Sequence, residues 1–221
     1  MNHISLEVAG LLFDMDGVLV SSIGSVERSW RRWGIHYGVA NPEKIEIPHG
    51  TRAADIITML APEVDPVEAL RVIEDMEIED VSDLKVLPGV RALLSGLPPE
   101  RWAIVTSATD RLLRARLRAA ELPIPDRIIS ADLVTNGKPH PEPYLRGAEM
   151  IRAVPAECLV FEDAPSGVRA GAAAGCRVLG VLGTHSAEEL RVAGAEWVVS
   201  SLEAVSAKAD GGRVRVEFEG L

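Results

Sequence analysis

Short runs of apolar residues alternate, over much of the chain, with longer stretches whose apolar positions repeat at helical spacing. Each short run ends in polar or turn-forming residues. In chain order the runs cover residues 8–13, 102–105, 127–129, 158–161, 177–181 and 197–199. This alternation is typical of buried parallel strands that are joined by helices. The pattern therefore predicts an α/β protein built around a parallel sheet.

The stretches between these runs predict the helices of the same fold. They cover residues 110–121, 141–152, 166–174, 187–193 and 201–207. Near the C-terminus, the segment RVRVEF places Val214, Val216 and Phe218 on one face of an extended chain. Alternation with a period of two residues is the signal of a half-buried strand. We expect this segment to form a closing strand.

Residues 14–101 break the rhythm because they contain no comparable apolar run. Three segments here have helical patterns instead, at residues 22–34, 51–60 and 66–80. Pro88 and Gly89 then punctuate the chain, and a short helix is predicted over residues 89–96. We interpret residues 20–86 as a helical cap, inserted into a core made of residues 1–19 and 87–221.

Charge and composition restrict the partners of this chain. Its 221 residues include 33 Asp and Glu against 23 Lys and Arg, which gives a formal net charge of −10. Nucleic acid and anionic membranes would meet net repulsion, so we expect neither as a partner, and we expect a monomer. Arg111, Arg114 and Arg118 recur at helical spacing, and we interpret them as a solvated helix face.

Cysteine usage and the first residues indicate the compartment. Cys158 and Cys176 lie far apart in apolar stretches, as expected of buried thiols in a reducing environment. The N-terminal segment lacks a basic region, and no apolar run approaches the ~20 residues that a membrane span needs. A cytoplasmic protein is expected.

Two carboxylates follow the first predicted strand. The segment LLFDMDGVL places Asp14 and Asp16 two residues apart at the carboxyl end of an apolar run. In open α/β sheets that edge is where ligands bind, and Gly17 permits a sharp turn away from it. Taken alone, the two acids would also suit a simple turn.

The second predicted strand and a later loop add groups that suit a phosphate. Residues 103–109 end in hydroxyls and backbone N–H groups ahead of a helix, including those of Ser107 and Ala108. The segment NGKPHPEP fixes Lys138 in a proline-stiffened turn before the next helix. Each group also has an ordinary structural reading, as a helix cap or a surface lysine.

A further strand end supplies two more acids. The segment LVFEDAPSG brings Glu162 and Asp163 out of a buried run. Three or four clustered carboxylates would raise one another's pKa values unless positive charge offsets the repulsion. A lysine and a magnesium ion supply such charge, and Mg²⁺ prefers carboxylates, phosphate oxygens and waters.

At these residues the sequence resembles the haloacid dehalogenase superfamily, in its phosphatase branch with a helical cap after the first motif. Four segments are most similar to the 2-deoxyglucose-6-phosphate phosphatase and glycerol-3-phosphate phosphatase subfamily, which is related to β-phosphoglucomutase. They are HGTRAADII, RWAIVTSATD, GKPHPEPYLRG and VFEDAPSGVRAGAAAGC. The resemblance implies a Rossmann-like doubly wound core with a mobile α-helical cap.

The resemblance also implies roles for individual residues. Asp14 matches the nucleophile that becomes an aspartyl-phosphate, and Asp16 matches the acid/base. Ser107 and Lys138 match the phosphate-binding positions, to which the backbone of Ala108 adds. The ligands implied for Mg²⁺ are Asp14, Asp16 through its carbonyl, and Asp163, with Glu162 as a ligand or a neighbouring partner.

Two predictions concern the cap. His49 and Arg52 lie at a predicted helix start, where Arg52 would pair with an anionic or hydroxylated substrate. Trp30 and Trp33 lie on the first cap helix, and we interpret them as cap core rather than as stacking platforms.

These residues together predict a Mg²⁺-dependent phosphomonoester hydrolase for small sugar or polyol phosphates. Two alternatives remain. A mutase similar to β-phosphoglucomutase would carry a histidine and a lysine where this chain has Val26 and Met76. A phospho-accepting signalling module also combines acids, a hydroxyl residue and a lysine, but it has no use for an inserted cap.

Overall fold

The computed structural model describes residues 2–221. Its strands are β1 (Asn2–Val8), β2 (Gly10–Phe13), β3 (Val20–Ser21), β4 (Lys85–Val86), β5 (Trp102–Val105), β6 (Ile128–Ile129), β7 (Cys158–Glu162), β8 (Arg177–Val181), β9 (Trp197–Val199), β10 (Val205–Asp210) and β11 (Arg213–Gly220). Its α-helices are α1 (Ile23–His36), α2 (Ala53–Leu60), α3 (Pro66–Glu79), α4 (Val90–Ser95), α5 (Asp110–Ala119), α6 (Glu142–Met150), α7 (Pro165–Ala173) and α8 (Ala187–Ala193).

A six-stranded parallel sheet forms the centre of the protein, in the order β6-β5-β2-β7-β8-β9. Leu11 of β2 pairs with Trp102 on one side and with Leu159 on the other. Every residue of β2, β5 and β7 is buried. Strands covered on both faces read as continuous apolar runs, which is why the sequence identified them. The predicted α/β fold is confirmed.

Apolar side chains from the two faces of this sheet enter two separate clusters. Leu11 and Phe13 point to one side, toward α4 and α5, and the ring of Phe13 stacks on Phe161 with 4.6 Å between centroids. Leu12 and Val160 point to the other side, toward α6, α7 and α8. Helices therefore cover both faces, as a doubly wound sheet requires.

The three helices α1, α2 and α3 have a small core of their own within the segment we call the cap. Its largest buried members are Trp30, Trp33, Ile56, Ile57 and Ile73. The indole N–H of Trp33 donates to the carbonyl of Ala69 at 3.0 Å. Both tryptophans are buried, so the prediction that they belong to the cap core is confirmed. The short ribbon of β3 and β4 lies where the chain enters and leaves the cap.

The predicted helix over residues 201–207 is wrong. A 3₁₀ turn at Leu202–Ala204 leads into β10, which pairs with β11 across a tight turn at Gly211 and Gly212. Val205 and Ala207 alternate with exposed neighbours, and this period of two residues favours a strand. The closing strand β11 exists, but it lies in a separate antiparallel sheet of order β1-β11-β10.

Both cysteines are buried free thiols, as predicted. Burial raises the pKa of each thiol to about 12, so neither is a reactive thiolate at neutral pH.

Among residues 2–221, no helix combines the length and the apolar character that crossing a membrane requires. The longest helices, α1 and α3, have 14 residues each.

Candidate active site

The carboxyl end of β2 delivers the first two acids to the edge of the sheet. The backbone N–H of Asp14 still donates to the carbonyl of Phe161 at 3.0 Å, which fixes this residue beside β7. The chain then turns sharply at Gly17, whose φ is +82°. A Cβ at Gly17 would collide with the carboxylate of Asp163, so only glycine allows the two loops to approach this closely.

Lys138 lies at the centre of the acidic groups. Its Nζ is 2.9 Å from Oδ1 of Asp14 and 2.6 Å from Oε1 of Glu162, and it donates to the carbonyl of Val105 at 3.1 Å. Burial disfavours the charged ammonium, but the two carboxylates outweigh this effect and raise the pKa of Lys138 above its ordinary value. The ammonium is therefore always charged at neutral pH.

The loop that carries Lys138 is held by Glu142 at the start of α6. The carboxylate of Glu142 accepts hydrogen bonds from the backbone N–H groups of Thr135 and Asn136, both at 2.9 Å. These bonds lower the pKa of Glu142 to about 2. The loop is thus fixed before any ligand arrives.

Glu162 has all of its acceptor positions engaged by the protein. Oε1 accepts from Lys138 and from the hydroxyl of Tyr144 at 2.7 Å, and Oε2 accepts from the N–H groups of Asp163 and Ala164 at 3.1 and 3.3 Å. Gly167 leaves room for this carboxylate, since a Cβ there would collide with it. Glu162 therefore holds Lys138 in place, which suits the predicted role of a partner beside the metal ligands better than that of a ligand.

The side chains around the acids at the sheet edge carry too little positive charge to balance the carboxylates. Oxygens of Asp14, Glu162 and Asp163 lie within 4.8 Å of one another, and all three residues are buried. Burial raises the pKa of Asp14 to about 7, and Glu162 adds to the rise while Lys138 opposes it. Burial and the neighbouring acids also raise the pKa of Asp163. Such a set of hard oxygen donors fits Mg²⁺, with Asp14 and Asp163 as its side-chain donors.

Ser107 and Ala108 lie beside this cluster, at the end of β5. The hydroxyl of Ser107 donates to the carbonyl of Gly50 in the cap at 2.6 Å, and the N–H of Ala108 donates to the hydroxyl of Thr106 at 3.1 Å. Both residues line the cavity described below. A phosphate bound by the Ser107 hydroxyl would replace the cap carbonyl as its partner.

The cap loop around Gly50 is seated directly on the core. The carbonyl of His49 accepts from the hydroxyl of Ser166 at 2.9 Å. Gly50 has φ of +77°, and a Cβ there would come within 2.5 Å of the Ser166 oxygen. The His49 ring lines the cavity and meets His185 edge to face at 5.6 Å between centroids. Burial and His185 lower the pKa of His49.

Arg52 lies outside the cavity lining. Its guanidinium pairs with Asp55 at 2.8 Å and donates to the carbonyl of Thr135 at 3.0 Å, in the loop that precedes Lys138. Gly137 permits this approach, because a Cβ there would lie 2.7 Å from Nε of Arg52. In this arrangement Arg52 links the cap to the Lys138 loop and lies outside the residues that line the cavity.

A cavity of about 550 Å³ lies between the cap and the core. Its floor includes Asp14, Asp16, Ser107 and Asp163. Apolar cap residues form much of its walls, among them Val26, Trp30, Ile45, Ile47 and Ile56. Its size suits a small metabolite.

Sequence reasoning missed Arg116, which lies on the buried face of α5. Its Nη1 is 2.6 Å from Oδ2 of Asp16, and its Nη2 is 2.6 Å from Oε2 of Glu77 in the cap. A signal was present, because Arg116 follows Leu112 and Leu113 at helical spacing on the apolar face of the helix. The interpretation of Arg111 as part of a solvated face is incomplete, since it pairs with Glu74 of the cap at 3.3 Å.

Residues 8–175 match the family model described as "Hydrolase: haloacid dehalogenase-like hydrolase". The chain belongs to this family.

Named relatives of this haloacid dehalogenase-like hydrolase are similar over nearly their whole length. Hexitol phosphatase A of Escherichia coli (strain K12) is 38% identical over 205 residues, which cover 89% of this chain and 93% of the relative. Glycerol-1-phosphate phosphohydrolase 1 of Saccharomyces cerevisiae is 32% identical over 214 residues, with 91% and 86% covered. The crystal structure of a hydrolase from Pseudomonas syringae has a TM-score of 0.77 at 26% identity, covering 87% of this chain and 93% of that one. The predicted phosphatase of the haloacid dehalogenase superfamily is confirmed.

Two positions in this haloacid dehalogenase-like hydrolase bear on the mutase alternative. Val26 lines the cavity, and Met76 packs into the cap core. Neither side chain offers an ionisable group that would bind or orient a phosphosugar intermediate. The family membership also leaves the signalling-module alternative without support.

Proposed function

We propose that this protein hydrolyses small sugar or polyol phosphates with Mg²⁺, through an aspartyl-phosphate on Asp14. The observation that carries the proposal is the buried pairing of Lys138 with Asp14 at 2.9 Å, since Asp14 itself lies on the floor of a cavity that the cap covers. The names of its relatives, a hexitol phosphatase and a glycerol-1-phosphate phosphohydrolase, support the substrate class.

In the first half of the proposed reaction, a carboxylate oxygen of Asp14 attacks the phosphorus atom. The bond from phosphorus to the leaving oxygen breaks, and Asp16 donates a proton to that oxygen so that an alcohol departs. In the second half, Asp16 takes a proton from a water molecule that attacks the phosphorus, and inorganic phosphate and free Asp14 result. Lys138 and the Ser107 hydroxyl hold phosphate oxygens throughout.

Asp14, Asp163 and the backbone carbonyl of Asp16 would hold the magnesium ion. When bound, Mg²⁺ supplies positive charge that offsets both the carboxylates and the phosphate oxygens. The raised pKa values of Asp14 and Asp163 are in accord with this need for a cation.

Steady-state release of inorganic phosphate tests the proposed function. We expect turnover of glycerol phosphate and hexitol phosphates with added Mg²⁺, near-complete loss in EDTA and recovery when Mg²⁺ is restored in excess. The reason is that three buried carboxylates cannot accept an anionic substrate without a further cation. Turnover that continues unchanged in EDTA, or a product that is an isomeric phosphosugar without free phosphate, would contradict the proposal.

The cap side of the cavity carries more negative than positive charge. Glu27, Glu43 and Glu46 line it together with Arg31. These carboxylates would repel a second anionic group on the substrate, whereas they would not repel a neutral polyol chain. We therefore propose that the preferred substrates carry one phosphate and are otherwise uncharged.

Comparing a hexitol monophosphate with a hexose bisphosphate tests this preference. We expect kcat/KM to be about 10-fold higher for the monophosphate at low salt. The difference should shrink as salt is added, because the glutamates are exposed and salt screens exposed charges. Equal kcat/KM values at low salt, or a preference for the bisphosphate, would show that the cap selects on another property.

A further inference from the structure

Arg116 connects the cap to Asp16 through two short ion pairs. Its side chain is 6% exposed, and each terminal nitrogen of the guanidinium has its own carboxylate, Asp16 on one side and Glu77 on the other. Both pairs have N–O distances of 2.6 Å. A planar guanidinium held at both ends has little freedom to rotate, so its orientation is fixed.

This contact distinguishes the two carboxylate oxygens of Asp16. Oδ2 accepts from the guanidinium of Arg116, whereas Oδ1 accepts from the hydroxyl of Ser22 at 3.4 Å. Arginine can only donate, so Oδ2 is held as the acceptor of this bond. The ion pair with Arg116 therefore fixes the orientation of the Asp16 carboxyl group.

The cap supplies the other half of the contact. Glu77 lies on α3 and is buried, and the same helix places Glu74 against the hydroxyl of Thr109 at the start of α5. Because α3 is fixed on α5 at two points, Glu77 sets the position of Arg116 when the cap is seated. Without Glu77, the guanidinium would keep Asp16 as a partner but lose its second anchor.

We propose that Arg116, anchored by Glu77 of the cap, is a positioning residue that orients the Asp16 carboxyl for proton transfer to the leaving oxygen. This inference rests on the proposed function, in which Asp16 protonates the departing alcohol. Because Glu77 belongs to the cap, the proton transfer would depend on the position of the cap.

The test is to compare leaving groups in the Arg116→Met variant. An alkyl phosphate such as glycerol phosphate needs a proton on its leaving oxygen, whereas p-nitrophenyl phosphate releases a stable phenolate without one. General-acid catalysis is worth about 10²–10⁴-fold. We expect kcat/KM to fall about 100-fold on glycerol phosphate and less than about 5-fold on p-nitrophenyl phosphate.

Two further variants complete the experiment. Arg114→Met changes an arginine on the same helix that pairs with Asp110 at its surface, and it should leave both rates unchanged. Glu77→Gln keeps the shape of the side chain while removing its charge. Like Arg116→Met, it should lose more activity on glycerol phosphate than on p-nitrophenyl phosphate, but both losses should be smaller. It provides the same comparison if Arg116→Met does not fold, and circular dichroism checks the fold of each variant.

The outcomes separate this inference from the function on which it rests. Equal losses on the two substrates, in folded Arg116→Met or in folded Glu77→Gln, would overturn the positioning role. Unchanged rates on both substrates would overturn it as well. If the unmodified protein releases phosphate from neither substrate, the proposed function itself fails and the inference fails with it.

Discussion

Asp14→Asn is expected to lower kcat for phosphate release by about 10⁴-fold or more. The amide has the shape of the carboxylate and keeps one acceptor oxygen, but it is a far weaker nucleophile toward phosphorus. Removing a nucleophile from a covalent mechanism commonly costs 10⁴–10⁶-fold in kcat. Phosphate release from glycerol phosphate, measured with saturating Mg²⁺, gives the loss directly.

The same substitution is expected to stabilise the metal-free protein. The pKa of Asp14 is raised to about 7 in the folded state, above its ordinary value of 3.8. An acid whose folded pKa is raised binds its proton more tightly when folded, so its ionisation costs stability as pH rises above about 4 and the full cost is present above about 7. Asparagine removes this cost at neutral pH. Scanning calorimetry in EDTA should show a higher Tm, and the gain should shrink in Mg²⁺ because the cation stabilises Asp14.

Asp126→Asn is the matched control, since Asp126 is exposed and is not among the residues that line the cavity. It should leave both kcat and Tm unchanged. Asp14→Asn with kcat within 10-fold of the original protein would mean that another group attacks the phosphorus.

Lys138→Met is expected to damage both activity and stability. The Lys138 side chain is 1% exposed and its ammonium lies between Asp14 and Glu162, so its loss leaves two buried carboxylates without their shared counter-charge. Breaking a buried pair in this way typically costs about 3–5 kcal/mol of the free energy of unfolding. We expect kcat/KM to fall about 10³-fold, because charge on the phosphate oxygens also loses its partner.

A second substitution separates these two effects. In Lys138→Met with Glu162→Gln, the carboxylate that anchors Lys138 becomes neutral, so most of the lost stability should return while activity does not. Urea unfolding in EDTA measures the first quantity and phosphate release the second. Recovery of activity in the double variant, or no loss of stability in Lys138→Met alone, would contradict the role of Lys138 as shared counter-charge.

The strand-end acids were predictable because their position depends on local sequence. Asp14 and Asp163 follow strands that are buried on both faces, so continuous apolar runs mark where each strand ends. Parallel strands bring these ends to one edge of the sheet whatever the intervening loops do. The prolines of the NGKPHPEP segment likewise made the turn that carries Lys138 predictable from local sequence.

Contacts between the cap and the core were not predictable. Arg116 and Glu77 lie 39 residues apart, and their meeting depends on how α3 packs on α5. The same dependence places Arg52 on Thr135 rather than in the cavity, although its position in the HGTR segment favoured a substrate contact. The contacts of Glu162 were also not predictable. Its neighbours along the chain do not show that its carboxylate accepts hydrogen bonds from Lys138 and Tyr144.

The helix predicted over residues 201–207 was wrong for another reason. Residues 205–210 contain small and charged residues whose local preferences suit a helix as well as a strand. Pairing with β11 decides between them, and that pairing is a tertiary interaction.

The antiparallel sheet also pairs strands that are made far apart in time during synthesis. Asn2 in the first strand pairs with Gly220 in the last, and Ala9 alone separates that first strand from β2, which carries Asp14. During synthesis the ribosome releases β1 long before its partner β11 exists. The pairing that covers this edge of β1, next to the strand that carries Asp14, can therefore form only after β11 has left the exit tunnel.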